Sequence, residues 1–365
     1  MRKRCFAVLA LAARVLGAQG HTHQPATPEK LGTVHFATSC KPAVTARFDR
    51  AIALLHSFEF GTAIRGFTDV LRADSSCAMA QWGIAMSRWS NPMVASNRAP
   101  AQLTLGREVA GAAAHSRGGA TDRERMYIDP VAELYRDFEH VDQRTRVLAY
   151  ERAMDVLSTK FPADTEAMIF HAIALTASAP PTDKTYTRQL KAAAILEPIY
   201  AKQPGHPGIA HYLIHTYDVP ALAPKAASAA RRYAAIAPSA AHALHMPSHT
   251  FTRIGDWNAS VGTNRRSIEV ALREGSIGEA LHASDYAVYA LLQMQQNAAA
   301  KAILDSLPLL AARFDPNVIA GAAPGSAAVF AMAAIPARYA LERRAWPEAA
   351  ALQPKSSAFP WAEAM

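Results

Sequence analysis

The chain has 365 residues, of which 50% are apolar and 19% charged, and its formal net charge at pH 7 is +8. This balance excludes a disordered chain, and the many alanines favour helices. Four of the basic residues lie before residue 20, and no basic stripe with interleaved aromatic residues follows them. The sequence therefore argues against nucleic-acid binding.

Residues 1–20 are typical of a secretory signal peptide. Three basic residues follow the first methionine, a short apolar segment comes next, and small residues near Gly20 suit a cleavage site. Arg14 interrupts the apolar segment, so an amphipathic first helix is the alternative. We expect a periplasmic or secreted protein with an N-terminal tail at 21–40. No other segment has the ~18 to 20 consecutive apolar residues of a membrane span.

Two cysteines, Cys40 and Cys77, remain once a signal peptide is removed. An even number of cysteines in an oxidising compartment permits a disulfide. The alternative is a pair of buried free thiols.

Two adjacent segments, 44–57 and 60–74, carry apolar residues at helical spacing and are predicted to form a pair of helices. In the second segment, Ala63, Phe67 and Val70 give a small–large–small pattern. This pair resembles a tetratricopeptide repeat, whose two helices pack through residues of those sizes.

A second match follows Pro238. Phe251, the turn Gly255–Trp257 and Ser260 have the spacing of the family's aromatic residue, turn and small residue. Pro204 precedes Pro238 by one period of the repeat. The resemblance implies an all-α protein: an α-solenoid of stacked antiparallel helix pairs, wound as a right-handed superhelix with a concave groove.

The same matches divide the chain into three helical parts. We expect N-terminal helix pairs at 41–160, repeats that carry a histidine-rich groove at 161–304, and C-terminal helix pairs at 305–365. The last residues resemble the start of another helix, which leaves open whether the chain is truncated there.

Seven of the fourteen histidines lie between residues 206 and 282, several of them three or four residues apart. Such spacing places side chains on one helical face. Phased against the repeat, most of them fall where tetratricopeptide proteins line the concave groove. The resemblance implies that these side chains share one stretch of the groove, where the candidate metal ligands are His211, His215, His242, His245, His249, His282 and Asp285. Further groove-lining residues are His206, Tyr289, Trp82, Met79 and Met86.

Clustered imidazoles on adjacent helices could converge on one ion, because neighbouring helices pack ~8–10 Å apart. Neutral imidazole suits copper, zinc or iron, and Asp285 could complete the site or orient a ligand histidine. Without a metal, the imidazoles are expected to titrate near neutral pH. Isolated helix histidines such as His56 are interpreted as structural.

Two functions remain open. In the first, the groove binds a transition metal or cofactor and supports metal-dependent oxidation or hydrolysis. In the second, the protein is a non-catalytic scaffold whose groove holds a peptide, a protein segment or a small molecule. The sequence identifies no catalytic residue.

Pro247 bears on the geometry of the site. If its helix begins near Leu244, the proline lies in the first turn and is harmless. If the helix begins earlier, a kink turns His242 and His245 away from His249.

Overall fold

The computed structural model describes residues 29–94, 98–353 and Phe359. The predicted signal peptide lies outside these residues. Every regular element within them is a helix, which confirms the all-α class. None of these helices is long and apolar enough to cross a membrane.

The N-terminal part contains α1 to α8, and each helix packs against the next. Their bounds are α1 Thr45–His56, α2 Phe60–Ala73, α3 Ala78–Trp89, α4 Pro100–Ser116, α5 Asp122–Val131, α6 Gln143–Lys160, α7 Thr165–Ala177 and α8 Thr187–Lys202. The helices predicted at 44–57 and 60–74 are α1 and α2. Ala63, Phe67 and Val70 are fully buried, as expected for packing positions.

The C-terminal part continues the same order of contacts between successive helices. Its helices are α9 Pro207–Thr216, α10 Ala227–Ile236, α11 Ala241–His245, α12 Pro247–Ile254, α13 Trp257–Glu274, α14 Ile277–Gln293, α15 Asn297–Ala311, α16 Gly325–Leu341 and α17 Trp346–Ala350.

Pro247 is the first residue of α12, where its missing N–H removes no helical hydrogen bond. Met246, between α11 and α12, keeps a right-handed helical backbone with φ −53° and ψ −35°. The imidazoles of His245 and His249 therefore stay adjacent across the break, with ring centroids 5.0 Å apart.

The turn between α1 and α2 reaches across the fold to the histidine-bearing helices. Phe58 is 2% exposed, and the Glu59 carboxylate accepts a hydrogen bond from the backbone N–H of His242 at 3.1 Å. Gly61 donates its N–H to the carbonyl of Ala320 at 2.8 Å. A Cβ at Gly61 would lie 2.5 Å from the Ile319 carbonyl oxygen, so this approach requires glycine.

The segment before α1 is tied to the rest of the protein by hydrogen bonds and by a disulfide. Thr33 donates its N–H to the carbonyl of Gly205 at 3.0 Å. Cys40 and Cys77, whose pairing the sequence left open, form a disulfide with an S–S distance of 1.99 Å. This bond joins the segment before α1 to the start of α3.

Candidate metal centre

Three imidazoles converge beneath Phe58, and we call them the inner triad: His211, His215 and His242. His211 and His215 lie one turn apart on α9, and His242 lies at the start of α11. One candidate ligand atom from each lies within 4.8 Å of the other two. The Phe58 ring covers them, with its centroid 4.3 Å from that of His211 and 5.6 Å from those of His215 and His242.

The hydrogen bonds of the inner triad leave its Nε2 atoms free. His211 donates Nδ1–H to the carbonyl of His56 at 2.6 Å, and His242 donates Nδ1–H to Glu279 at 2.9 Å. The Nε2 atoms of all three histidines are buried and have no partner among the described residues. A neutral imidazole that donates through Nδ1 carries a lone pair on Nε2. This is the usual state of a metal-ligating histidine.

A second group lies next to the first, and we call it the outer triad: His245, His249 and His282. Its members come from α11, α12 and α14, and their candidate ligand atoms also lie within 4.8 Å of one another. The His282 and His245 ring centroids are 4.5 Å apart. The two triads are neighbours, since the His242 and His245 ring centroids are separated by 5.8 Å.

Hydrogen bonds also orient two members of the outer triad. His245 donates Nδ1–H to Asn264 Oδ1 at 2.7 Å, and the Asn264 amide is itself oriented by its bond to the Ser260 carbonyl. His249 donates Nδ1–H to Asp218 at 2.8 Å. The Nε2 atoms of His245 and His249 therefore face each other, 3.0 Å apart.

Two imidazole nitrogens at this distance either share a proton in a hydrogen bond or bind one cation between them. A tetrahedral ion with metal–nitrogen bonds of about 2.0–2.1 Å holds its ligand nitrogens about 3.3 Å apart. The 3.0 Å separation of the His245 and His249 nitrogens is within a few tenths of an ångström of that requirement. The donor set and the spacing both fit a transition-metal ion.

Burial keeps four of the six imidazoles neutral at physiological pH. Burial lowers the pKa of His211, His215 and His245 well below the usual value, and neighbouring imidazoles lower it further. Burial also lowers the pKa of His282 to about 4. For these four histidines the expectation of titration near neutral pH was wrong, because the loss of water around the rings disfavours the charged form.

The carboxylates that support the triads are ionised. Burial alone would raise the pKa of Asp218, but His249 and Arg253 outweigh it and lower that pKa to about 2. The pKa of Glu279 is likewise lowered, because His242 and the N–H of Ala323 outweigh the effect of burial. These carboxylates are therefore acceptors that hold the Nδ1 protons in place.

Asp285 does not join either triad. Its Oδ1 lies 3.1 Å from Nε of Arg338 on α16, and burial raises its pKa to about 6. Asp285 and Tyr289 instead line a cavity of about 570 Å³, into which His249 and His282 also face. The outer triad is thus reached from this cavity, whereas the inner triad is covered.

The three residues assigned to an N-terminal groove wall lie elsewhere. Met79 and Trp82 are 1% and 0% exposed, and the Trp82 ring packs against Phe36, Tyr127 and Phe170. Met86 packs on the same core. The groove assignment of Met79 and Trp82 was wrong, because their helix, α3, is covered by its neighbours.

His206 and His56 form a third buried cluster with Glu166. Nε2 of each histidine lies 2.9 Å from a Glu166 oxygen, and Nδ1 of His56 lies 3.0 Å from the Tyr212 hydroxyl. Burial opposes ionisation of Glu166, but the two histidines outweigh it and hold its pKa well below the usual range. His206 is therefore not a groove residue, and His56, interpreted as isolated, belongs to a hydrogen-bonded network.

Several residues of the centre were not predicted. Glu279 lies one turn before His282 on α14, and Asp218 lies one turn beyond His215. An acidic residue this close to a candidate ligand could have been predicted to support the metal site. Asn264 and Phe58 come from distant segments, and no local pattern identifies them.

Comparison with known proteins gives no relative from which a function could be transferred. No model of a known protein family matches the chain. A search of curated proteins also finds no significant match. The function must therefore be inferred from the geometry of the two triads.

Proposed function

We propose that this protein binds a pair of transition-metal ions, one in each histidine triad. The observation that carries the proposal is the convergence of six imidazoles into two groups of three, with the Nε2 atoms of the inner triad buried and without a partner among the described residues. An unpaired buried acceptor costs about 1–3 kcal/mol, and several in one place are best explained by a ligand that binds them all.

The donor set narrows the choice of metal. Both triads offer only imidazole nitrogens, which suit copper, zinc or iron and are poor ligands for magnesium or calcium. Three protein ligands leave a coordination position open, as in catalytic metal sites. We therefore favour metal-dependent oxidation or hydrolysis over a purely structural role for the ions.

The setting of this function is also part of the proposal. We infer an exported protein with a tetratricopeptide-like helical array. The Cys40–Cys77 disulfide supports an oxidising compartment, and the packing of successive helices supports a repeat architecture.

A peptide held along all the histidines has less support. Phe58 occupies the space over the inner triad, and the cavity reaches only the outer triad. A small molecule in the cavity fits these contacts better than an extended chain.

Metal analysis of the purified protein tests the proposal. After growth with copper, zinc and iron, we expect one ion per triad by mass spectrometry. His215→Gln should remove the inner ion and His245→Gln the outer one. His115→Gln is the matched control, because His115 is exposed and bonds only the Gly111 carbonyl of its own helix. Wild-type protein without metal under these conditions would refute the proposal.

A further inference from the structure

The cavity beside the outer triad has the size and shape of a small-molecule site. Its volume of about 570 Å³ lies in the usual range for such pockets. His249 and His282 form one end of it, and the Tyr286 ring stacks on His249 with a centroid separation of 4.7 Å.

Two guanidinium groups line the same cavity. Arg253 uses its Nε to bond Asp218, and Nε of Arg338 lies 3.1 Å from Asp285. Within the described part of the chain, no hydrogen bond involves the terminal nitrogens of either arginine. Such a free pair of N–H groups binds a carboxylate through two parallel hydrogen bonds.

Most of the remaining wall is apolar, and Thr252 and Ser326 add two hydroxyl groups to it. The Arg338 guanidinium lies 5.0 Å from the Tyr289 ring centroid and 6.0 Å from that of Phe330. Val94 and Ala327 complete this surface. A ligand that fills the cavity therefore needs an apolar body as well as a charged group.

The charges around the cavity indicate whether the charged group of the ligand is positive or negative. Each arginine of the cavity is already balanced by an aspartate. A divalent ion in the outer triad adds a positive charge that nothing in the cavity compensates. The cavity then attracts anions rather than cations.

We propose that this cavity binds a small organic carboxylate with an aromatic or other apolar body. The carboxylate binds Arg338, and the opposite end of the molecule faces the outer triad. His282 and Asp285 lie one turn apart on α14, so a single-ring compound can span from Arg338 to the triad. The assignment rests on the proposed metal pair and names the substrate class of that site.

Calorimetry on metal-loaded protein tests the assignment with 4-hydroxybenzoate and its neutral counterpart, 4-hydroxybenzamide. We expect the acid to bind at least about tenfold more tightly than the amide. Arg338→Met should abolish this preference. Arg265→Met is the control, because Arg265 is exposed on α13 and does not line the cavity.

Removing Arg338 leaves Asp285 buried without its partner, so the double variant R338M/D285N is measured as well. If it folds, as judged by circular dichroism, it should also lose the preference. Equal affinity for acid and amide, or an unchanged preference in both variants, would overturn the carboxylate assignment while leaving the metal pair intact. A wild-type protein that holds no metal would instead defeat the proposed function and the assignment with it.

Discussion

The two triads share one ligand type but lie in different surroundings. The inner triad is covered by Phe58 and has three Nε2 atoms without a partner among the described residues. The outer triad contributes His249 and His282 to a cavity that a small molecule can enter. Burial therefore suits the inner triad for retaining an ion, and access suits the outer triad for chemistry.

Metal removal should separate the triads most clearly. At a free-metal concentration about 1,000-fold above Kd, each ion stabilises the native protein by about 4 kcal/mol, so the loss of both costs about 8 kcal/mol. Scanning calorimetry before and after chelation measures this as a fall in Tm. Stopped-flow chelation should show a fast phase for the outer ion and a slow phase for the inner one. A single chelation phase would show that the two ions are equally accessible, against the difference between the triads described above.

Acid should destabilise the metal-free protein through both triads. Burial holds the pKa of His211 and His245 well below 6.5, so the unfolded chain binds protons that the native protein does not. Stability therefore falls as pH drops below 6.5, by up to about 1.4 kcal/mol per pH unit for each histidine, or about 5 kcal/mol for both over about two units.

Urea titrations between pH 7 and pH 4.5 check this slope. His211→Gln and His245→Gln should each lower the slope by up to about 1.4 kcal/mol per pH unit, while His115→Gln should leave it unchanged. A metal-free protein whose stability is flat over this range would contradict neutral burial of the two rings.

Phe58→Ala should convert the inner triad into one that resembles the outer. Truncating a buried phenylalanine costs about 3–5 kcal/mol, and here it also opens a path for water to the three imidazoles. We expect the slow chelation phase to approach the fast one. Phe67→Ala is the matched control, because it truncates an equally buried ring away from the triads. The same acceleration in Phe67→Ala would mean that lost stability, and not lost cover, controls release.

Substitution of the carboxylates that support the triads should have the smallest effect, and each substitution should affect only one ion. Asp218→Asn should weaken the outer ion about 10- to 100-fold, and Glu279→Gln should do the same to the inner ion, because each orients one ligand histidine. Competition with a chromophoric chelator gives both affinities. If either change weakened both ions equally, the triads would form one coupled centre instead of two.

The sequence predicted that most of the histidines lie together, but it did not predict which residues cover and surround them. Spacing on α9 and across Pro247, together with the repeat phase, placed six of the seven proposed ligands close together. Their role as ligands stays a prediction. Asp285 joins neither triad because it pairs with Arg338 on α16, and no pattern in the sequence identified that pair.

The cover over the inner triad could not be predicted at all. Phe58 and Glu59 meet His242 only after the whole chain has folded, and local periodicity carries no information on such distant contacts. The third cluster could not be predicted for the same reason, because His56, Glu166 and His206 come from the ends of three separate helices.

The position of Phe58 in the chain has a consequence for how the protein acquires its metals. The cover belongs to the α1–α2 hairpin, so during synthesis it exists before the histidines that it will enclose. We expect an ion destined for the inner triad to arrive before that hairpin docks or to pass inward through the outer triad, from His245 to His242. If the second route operates, a chain without the outer triad would incorporate its inner ion only when metal is supplied during folding, and not afterwards.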